Sequence, residues 1–308
     1  DGRAARVQER VREGEGRPVR ERGGRRRDRQ RDVVGLRVHV VVGHRPVRRA
    51  VAAERAGAPV ILQLGGALLP HLGLEGAYEM TLRQAEQSGA VRAIHLDHGT
   101  EDEAMEAIRL GFDSVMFDGS RLPFEENIRT TRRIVSVAHD FGVLVEAELG
   151  RIPEAGARVD WESYLTDVEE AERFVAETGV DLLAISIGVV HGVAAGEPQP
   201  LAIGLAEKIR DVTGIPLVLH GASGIPDEAV RESIAAGVHK VNADTDLRLA
   251  FRRGIEEVWS RGDQQLETAL GLGREYMAQA AVAKMTAYGC AGRAHATLVG
   301  TGVAGRKW

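Results

Sequence analysis

The chain has 308 residues, 44% of them hydrophobic, a mean hydropathy of −0.17 and a formal charge of −5. That is enough chain for one large domain, and no segment approaches the roughly 18 consecutive apolar residues of a membrane span or the pattern of a secretory signal. A single cysteine, Cys290, excludes a disulfide within the chain and fits a reducing cytoplasm;.

The charge is unevenly placed. Residues 1–49 hold 16 Arg, no Lys and 7 acids, a net of +9, which leaves the remainder at −14. Leu36 is the only Leu, Ile, Met or aromatic residue before Ile61. Residues 1–35 are therefore expected to be disordered, because they have too little apolar surface to bury. A nucleic-acid arm is a weaker reading, since no Lys or aromatic is interleaved and the rest of the chain is acidic. Arg/Gly/Val-rich text of this kind also arises from a shifted frame in GC-rich DNA, which would make the segment non-native.

The elements begin with a weak strand, "LRVHVVV" (36–42), and a helical stretch, "RPVRRAVAAERAG". Seven clearer strands follow: "PVILQL" (59–64), "VRAIHL" (91–96), "FDSVMF" (112–117), "GVLVEAEL" (142–149), "DLLAISIG" (181–188), "IPLVLH" (215–220) and "VHKVNAD" (238–244). Amphipathic stretches such as "EDEAMEAIRLG", "EENIRTTRRIVSVAHDFG", "DVEEAERFVAETG" and "PDEAVRESIAAG" separate them, several closed by the glycine that commonly stops a helix;. Strands alternating with helices predict parallel βαβ units. Eight of them predict an α/β fold of the (β/α)8 TIM-barrel type over residues 36–294, with a C-terminal helical extension and a tail at 295–308. An open doubly wound sheet is the runner-up, but "VVVGHRPV" lacks the glycine-rich phosphate turn it would need;.

In a barrel the chemistry sits at the C-terminal ends of the strands. Reading those ends in order gives Asp97 and His98, Asp118, Glu146 and Glu148, His191, His220, and then Asn242, Asp244, Thr245 and Asp246. One such histidine is more often a core or turn residue. Three on one rim fit a catalytic Zn2+ site, which uses three protein ligands and an open position, so His98, His191 and His220 are the expected set. Gly192 and Gly221 let backbone N–H groups approach an anion, with Ser223 and Thr245 as hydroxyl donors. The loops after strands 7 and 8 are the usual phosphate site of the fold. Asp97 and His98 are adjacent, and neighbours on a strand point to opposite faces. The strand is therefore expected to end at Leu96 and turn, bringing both toward one pocket. The plainer alternative is a strand-to-helix turn capped by Asp97 or Thr100.

The segments "HLDHGTEDEAMEAIRLGFDSVMFDGSRLPFEENI", "VEAELGRI", "AISIGVVHG", "PLVLHGASGIPDE", "GVHKVNADTDLRLAF" and "YMAQAAVAKMTAYGCAGRA" resemble the class II, zinc-dependent ketose-bisphosphate aldolases, in the tagatose- and fructose-bisphosphate branch, from about Ala52 to Ala294. The resemblance implies a cytoplasmic carbon–carbon lyase (an aldehyde-lyase) of glycolysis and carbohydrate metabolism. It would be a homodimer or homotetramer acting on a small sugar bisphosphate, with no nucleic-acid or membrane partner. The implied reaction is reversible cleavage of a ketose 1,6-bisphosphate, fructose or tagatose, to glycerone phosphate and glyceraldehyde 3-phosphate. Zn2+ would stabilise the enediolate as a Lewis acid, in place of a lysine Schiff base; Lys240, one of four lysines, is the rival nucleophile. Carried onto this sequence, the family's zinc histidines are His98, His191 and His220, and its proton-transferring aspartate is Asp97. Asp118 and Glu148 match a second metal position, for a divalent or monovalent cation. Gly192, Gly221, Ala222, Ser223, Asn242, Ala243, Asp244 and Thr245 match the glycerone-phosphate segments.

The sequence departs from the family at the first strand, where "RVHVVVGHR" replaces an asparagine-bearing motif, and in "LQLGGALL", which lacks a serine common there. After Glu148, "GRIPEAGARVD" replaces the Gly-Gly-x-Glu-Asp stretch that carries a mobile catalytic glutamate, leaving Glu154 as the candidate. "GEPQPLAIGL" replaces a lysine-containing run, and "HATLVGTGVAGRKW" is an added tail. The alternative function is therefore a metal- and phosphosugar-binding homologue without turnover, such as a noncatalytic subunit.

Overall fold

The computed structural model describes residues 39–43, 49–65, 69–153, 160–192 and 200–294. The basic segment 1–35, Glu154 and the tail 295–308 lie outside these residues. Along the chain come β1 (His39–Gly43), α1 (Arg49–Ala56), β2 (Val60–Gly65), α2 (Leu69–Glu86), β3 (Arg92–Gly99), α3 (Glu101–Leu110), β4 (Ser114–Phe117), α4 (Phe124–Asp140) and β5 (Leu144–Leu149). They are followed by α5 (Val168–Thr178), β6 (Leu182–Ile185), α6 (Ile203–Thr213), β7 (Leu217–Leu219), α7 (Asp227–Ala235), β8 (Val238–Asn242), α8 (Thr245–Ser260) and α9 (Leu266–Ala287). Among the described residues no helix is long and apolar enough to cross a membrane.

From β2 to β8 each strand pairs in parallel with the next, giving a curled seven-strand sheet with alternating helices, an α/β barrel-like fold. β1 lies in register with β2 on one side (Val40 opposite Val60) and β8 on the other (His39 opposite Lys240).

The two-residue period of a strand separates two environments. Leu62 and Leu64 of β2, Ile94 and Leu96 of β3, Val115 and Phe117 of β4, and Val145 and Ala147 of β5 pack outward into the main core with helix residues such as Ile108, Ile134 and Phe174. The alternate positions face inward. Part of that interior is apolar: Met116, Leu182, Ala184 and Val218 form a small separate cluster. The rest is polar, with Gln63, His95, Ser114, Glu146, Glu148, His220 and Lys240 all buried. A packed interior of this kind is a floor beneath the site, not a channel. The expected strands all appear, most of them shorter at the ends. The long α9 packs on α8 and α1, and backbone bonds from Gly292 and Ala294 to Ala56 and Gly57 fasten the chain after it.

Candidate active site

β3 does not stop at Leu96, as its apolar run suggested. It continues to Gly99, and its pairing with β4 slips between Leu96 and Gly99. His98 sits within that slip at φ 48°, left-handed for a residue with a side chain;. A bulge breaks the alternation of faces, so the adjacent Asp97 and His98 both line one cavity. Thr100 then caps α3 in a capping box with Glu103, each side chain bonding the other's backbone N–H;. The ordinary helix cap and the paired site residues are both present, one residue apart.

The three histidines converge from separate strands. Ring centroids lie 4.7 Å apart for His98 and His220, 5.1 Å for His98 and His191, and 6.2 Å for His191 and His220. His191 follows β6 and is fixed through its N–H, which donates to the Pro153 carbonyl at 2.8 Å. His220 ends β7. Gly221 behind it has φ 64°, and a Cβ there would stand 2.2 Å from the Val190 carbonyl oxygen, so only glycine lets the β6 and β7 loops meet so closely;.

Hydrogen bonds orient two of the rings. A carboxylate can only accept. His98 Nδ1 therefore donates to Asp118 Oδ2 (2.9 Å), and His220 Nε2 donates to Glu146 Oε1 (2.9 Å). The remaining nitrogens, His98 Nε2 and His220 Nδ1, face each other at 3.0 Å. Ligand atoms of Asp97, His98 and His220 all lie within 4.8 Å of one another, and a second such group joins His98, Asp118 and Glu148. Asp118 is held in turn by Ser120, whose N–H and hydroxyl both donate to Oδ1.

The charges are strongly perturbed. Burial lowers the His98 imidazolium pKa, but the Asp97 charge and the Asp118 hydrogen bond outweigh it and raise it to about 9. Burial, then the charge of His98, pushes His191 down to about 4. Burial dominates at His220 and lowers it too. The Asp97 carboxyl, which burial alone would raise, is held below its ordinary value chiefly by the charge at His98, with Lys240 behind it. Burial, with the Asp118 charge beside it, pushes Glu148 up to about 8; its Oε2 is buried with no hydrogen-bond partner among the described residues and stands 3.9 Å from His98 Nδ1.

A cavity of about 240 Å³ opens over these groups, lined by Asp97, His98, His191 and His220 on one side and by Gly192, Gly221, Ser223, Asn242, Asp244 and Thr245 on the other. Ala222 and Ala243, expected with them, are fully buried and pack in the core, so only their backbone is near. Asp118 and Glu148 stand behind His98 and are not part of the lining. Lys240, the rival nucleophile, is 2% exposed; its Nζ donates to Glu146 Oε2 at 2.6 Å, away from the cavity wall. Two lining residues were not anticipated. Gln63 donates through Nε2 to Asp97 Oδ1 at 3.0 Å, and Arg248, in the first turn of α8, reaches the cavity edge while its Nε bonds Asp244 Oδ2 at 2.7 Å. The polar Gln63 within the apolar run "VILQLGG" was the available signal for the first.

The family described as fructose-bisphosphate aldolase class-II matches residues 45–293. A fructose-bisphosphate aldolase of Geobacillus stearothermophilus is 39% identical over 250 residues, covering 79% of this chain and 87% of that one. A sulfofructosephosphate aldolase of Alkalicoccus urumqiensis is 37% identical, covering 79% and 86%. Among solved structures, the YdjI aldolase of Escherichia coli K12 superposes with a TM-score of 0.75 at 32% identity, covering 86% of this chain and 96% of that one. With a matched span running from before β2 to the end of the described residues, this chain belongs to the class-II fructose-bisphosphate aldolase family.

Proposed function

We propose that the protein is an aldehyde-lyase that reversibly cleaves a ketose 1,6-bisphosphate, of fructose or tagatose configuration, to glycerone phosphate and glyceraldehyde 3-phosphate, with His98, His191 and His220 holding one Zn2+. One observation carries the reading. His98 Nε2 and His220 Nδ1 lie 3.0 Å apart while the other nitrogen of each ring is already donating to a carboxylate. In the metal-free protein the His98 imidazolium shares its Nε2 proton with His220 Nδ1, and that proton stands where a metal ion would bring the two nitrogens together. Imidazole nitrogens beside an accessible cavity suit Zn2+, and His191 is the third imidazole. When bound, the ion supplies a Lewis acid for the sugar's carbonyl and neighbouring hydroxyl oxygens.

The chain's own residues supply the rest. Gln63 holds Asp97 Oδ1, so Oδ2 is the atom that exchanges a proton with the hydroxyl at the carbon–carbon bond that breaks. The cations around Asp97 keep it ionised and ready to accept that proton;. Gly192, Gly221, Ser223 and Thr245 surround the glycerone phosphate, aided by the positive N-terminus of α8, which begins at Thr245;. Asp118 and Glu148 offer a second cation position behind His98.

The architecture supports the same reading as a (β/α)8 TIM barrel over 36–294, closed by β1, with α9 as the C-terminal extension; the register of β1 with both β2 and β8 favours it. The protein is read as a cytoplasmic homodimer or homotetramer of carbohydrate metabolism. Coupled assays for glycerone phosphate with fructose and tagatose 1,6-bisphosphate, with and without chelator, test the function. Turnover of one sugar that chelator abolishes and zinc restores is expected. Zinc binding with no turnover of either would favour a noncatalytic binding homologue, which the departure at "GRIPEAGARVD" motivates.

A further inference from the structure

Beneath the cavity lies a charged network of which the proposed chemistry uses only His220. Lys240 is one of the largest fully buried side chains of the protein, and Glu146, His95 and His220 beside it are each at most 1% exposed. The four come from β8, β5, β3 and the end of β7, at inward positions of the sheet. Lys240 Nζ donates to Glu146 Oε2 (2.6 Å) and stands 3.3 Å from His95 Nε2. An ammonium group only donates, so His95 accepts at Nε2 and donates through Nδ1 to Ser114 Oγ at 2.7 Å. The other oxygen of Glu146 accepts from His220 Nε2 at 2.9 Å.

We propose that Lys240 and Glu146 are positioning residues for the metal-ligand set: Lys240, braced by His95 and Ser114, pins one oxygen of Glu146 so that the other takes the Nε2 proton of His220 and turns the Nδ1 lone pair of His220 into the cavity. This rests on the metal reading above and extends it to residues that touch neither ion nor substrate. The direction of the chain of donors is fixed at each link. Ser114 and His95 orient the ammonium, the ammonium occupies Oε2, and Oε1 is left for the imidazole. Asn242 Nδ2 lies beside the same ring, 3.1 Å from His220 Nδ1 and 3.3 Å from Nε2, so it is Glu146 that selects the tautomer. A carboxylate behind a ligating histidine is a general device for fixing ring orientation and raising ligand basicity. Here the carboxylate is buried, and a buried carboxylate without a partner is strongly disfavoured, which is the physical need that Lys240 meets.

The competing view makes the Lys240–Glu146 pair interior packing and nothing more. The test uses the full-length protein and four preparations: parent, Glu146→Gln, Lys240→Met and the double variant. Zinc affinity is read by competition with a chromophoric chelator, ligand geometry by the visible spectrum of the cobalt-substituted protein, and stability by thermal melting. Glu146→Gln is expected to lower zinc affinity 10–100-fold, the usual effect of losing such a partner, and to alter the cobalt spectrum. Lys240→Met should do both and also melt early. The double variant should recover stability, because no unpaired charge is left buried, yet keep the weakened affinity. Packing alone predicts that the double variant recovers both, and that result would overturn the proposal, as would a parent-like cobalt spectrum in Glu146→Gln.

A measurement on the unmutated protein covers the case in which a variant does not fold. In metal-free protein labelled with 15N-histidine, long-range proton–nitrogen spectra at neutral pH should show His220 with its proton on Nε2. A proton on Nδ1 in a protein that binds one zinc per chain sinks this proposal alone. A parent protein that binds no zinc sinks the metal reading, and this one with it.

Discussion

Gly221 joins the two loops that carry His191 and His220, and replacing it with alanine tests whether their close approach matters to the site. At φ 64° an L side chain costs roughly 1–2 kcal/mol;. The added Cβ would lie 2.2 Å from Val190 O and 2.9 Å from Val190 C, where 3.0 Å is the practical limit, so the two loops must part by about 0.8 Å;. His220 is locked from behind by Glu146, so the displacement falls on the Val190–His191 side. A shift near 1 Å in a group that positions the reaction costs on the order of 10²-fold in rate. Gly289→Ala supplies the control, because Gly289 has φ 75° but, among the described residues, nothing within 4 Å of the added Cβ. Both variants should lose similar stability from the backbone alone, and Gly221→Ala should lose about 1–3 kcal/mol more from overpacking. Only Gly221→Ala should lose turnover and zinc affinity. Chemical denaturation, a coupled assay and zinc competition on the three proteins decide it. Equal turnover and zinc affinity in the two variants would refute the argument that the Gly221–Val190 contact sets the position of His191.

Three further outcomes are expected. His220→Ala should lower zinc content sharply by elemental analysis, since each ligand of a three-ligand site is essential; full occupancy would remove His220 from the set. Asp97→Ala should keep zinc but cleave the bisphosphate roughly 10²–10⁴-fold more slowly, the usual contribution of a general acid–base group; cleavage at the parent rate would leave Asp97 as a bulge residue only. Thr100→Ala removes the α3 capping box and should cost about 1 kcal/mol in chemical denaturation;, with zinc content unchanged if the cap and the neighbouring ligand are independent.

Much of the fold is legible in the one-dimensional pattern, because strand and helix periods and glycine stops are properties of a few successive residues. The alternation that puts Ile94 and Leu96 in the core leaves His95 and Asp97 on the other face, and the same arithmetic places Glu146 with Glu148 and Lys240 with Asn242. Strand-end position was enough to single out His98, His191 and His220. What those residues do to one another was not legible. His98 and His220 are separated by 122 positions and meet only because the sheet curls. The slip that lets Asp97 and His98 face one cavity depends on how β3 lies against β4, and no composition rule places a bulge at an Asp-His pair. Lys240 read from sequence as a possible nucleophile; tertiary structure made it a buried partner of Glu146, because among the described residues the acceptors within reach of its ammonium come from β5 and β3. Local periodicity thus determined which side chains point inward, and the long-range register, which no short segment encodes, decided which of them bond and which face the cavity.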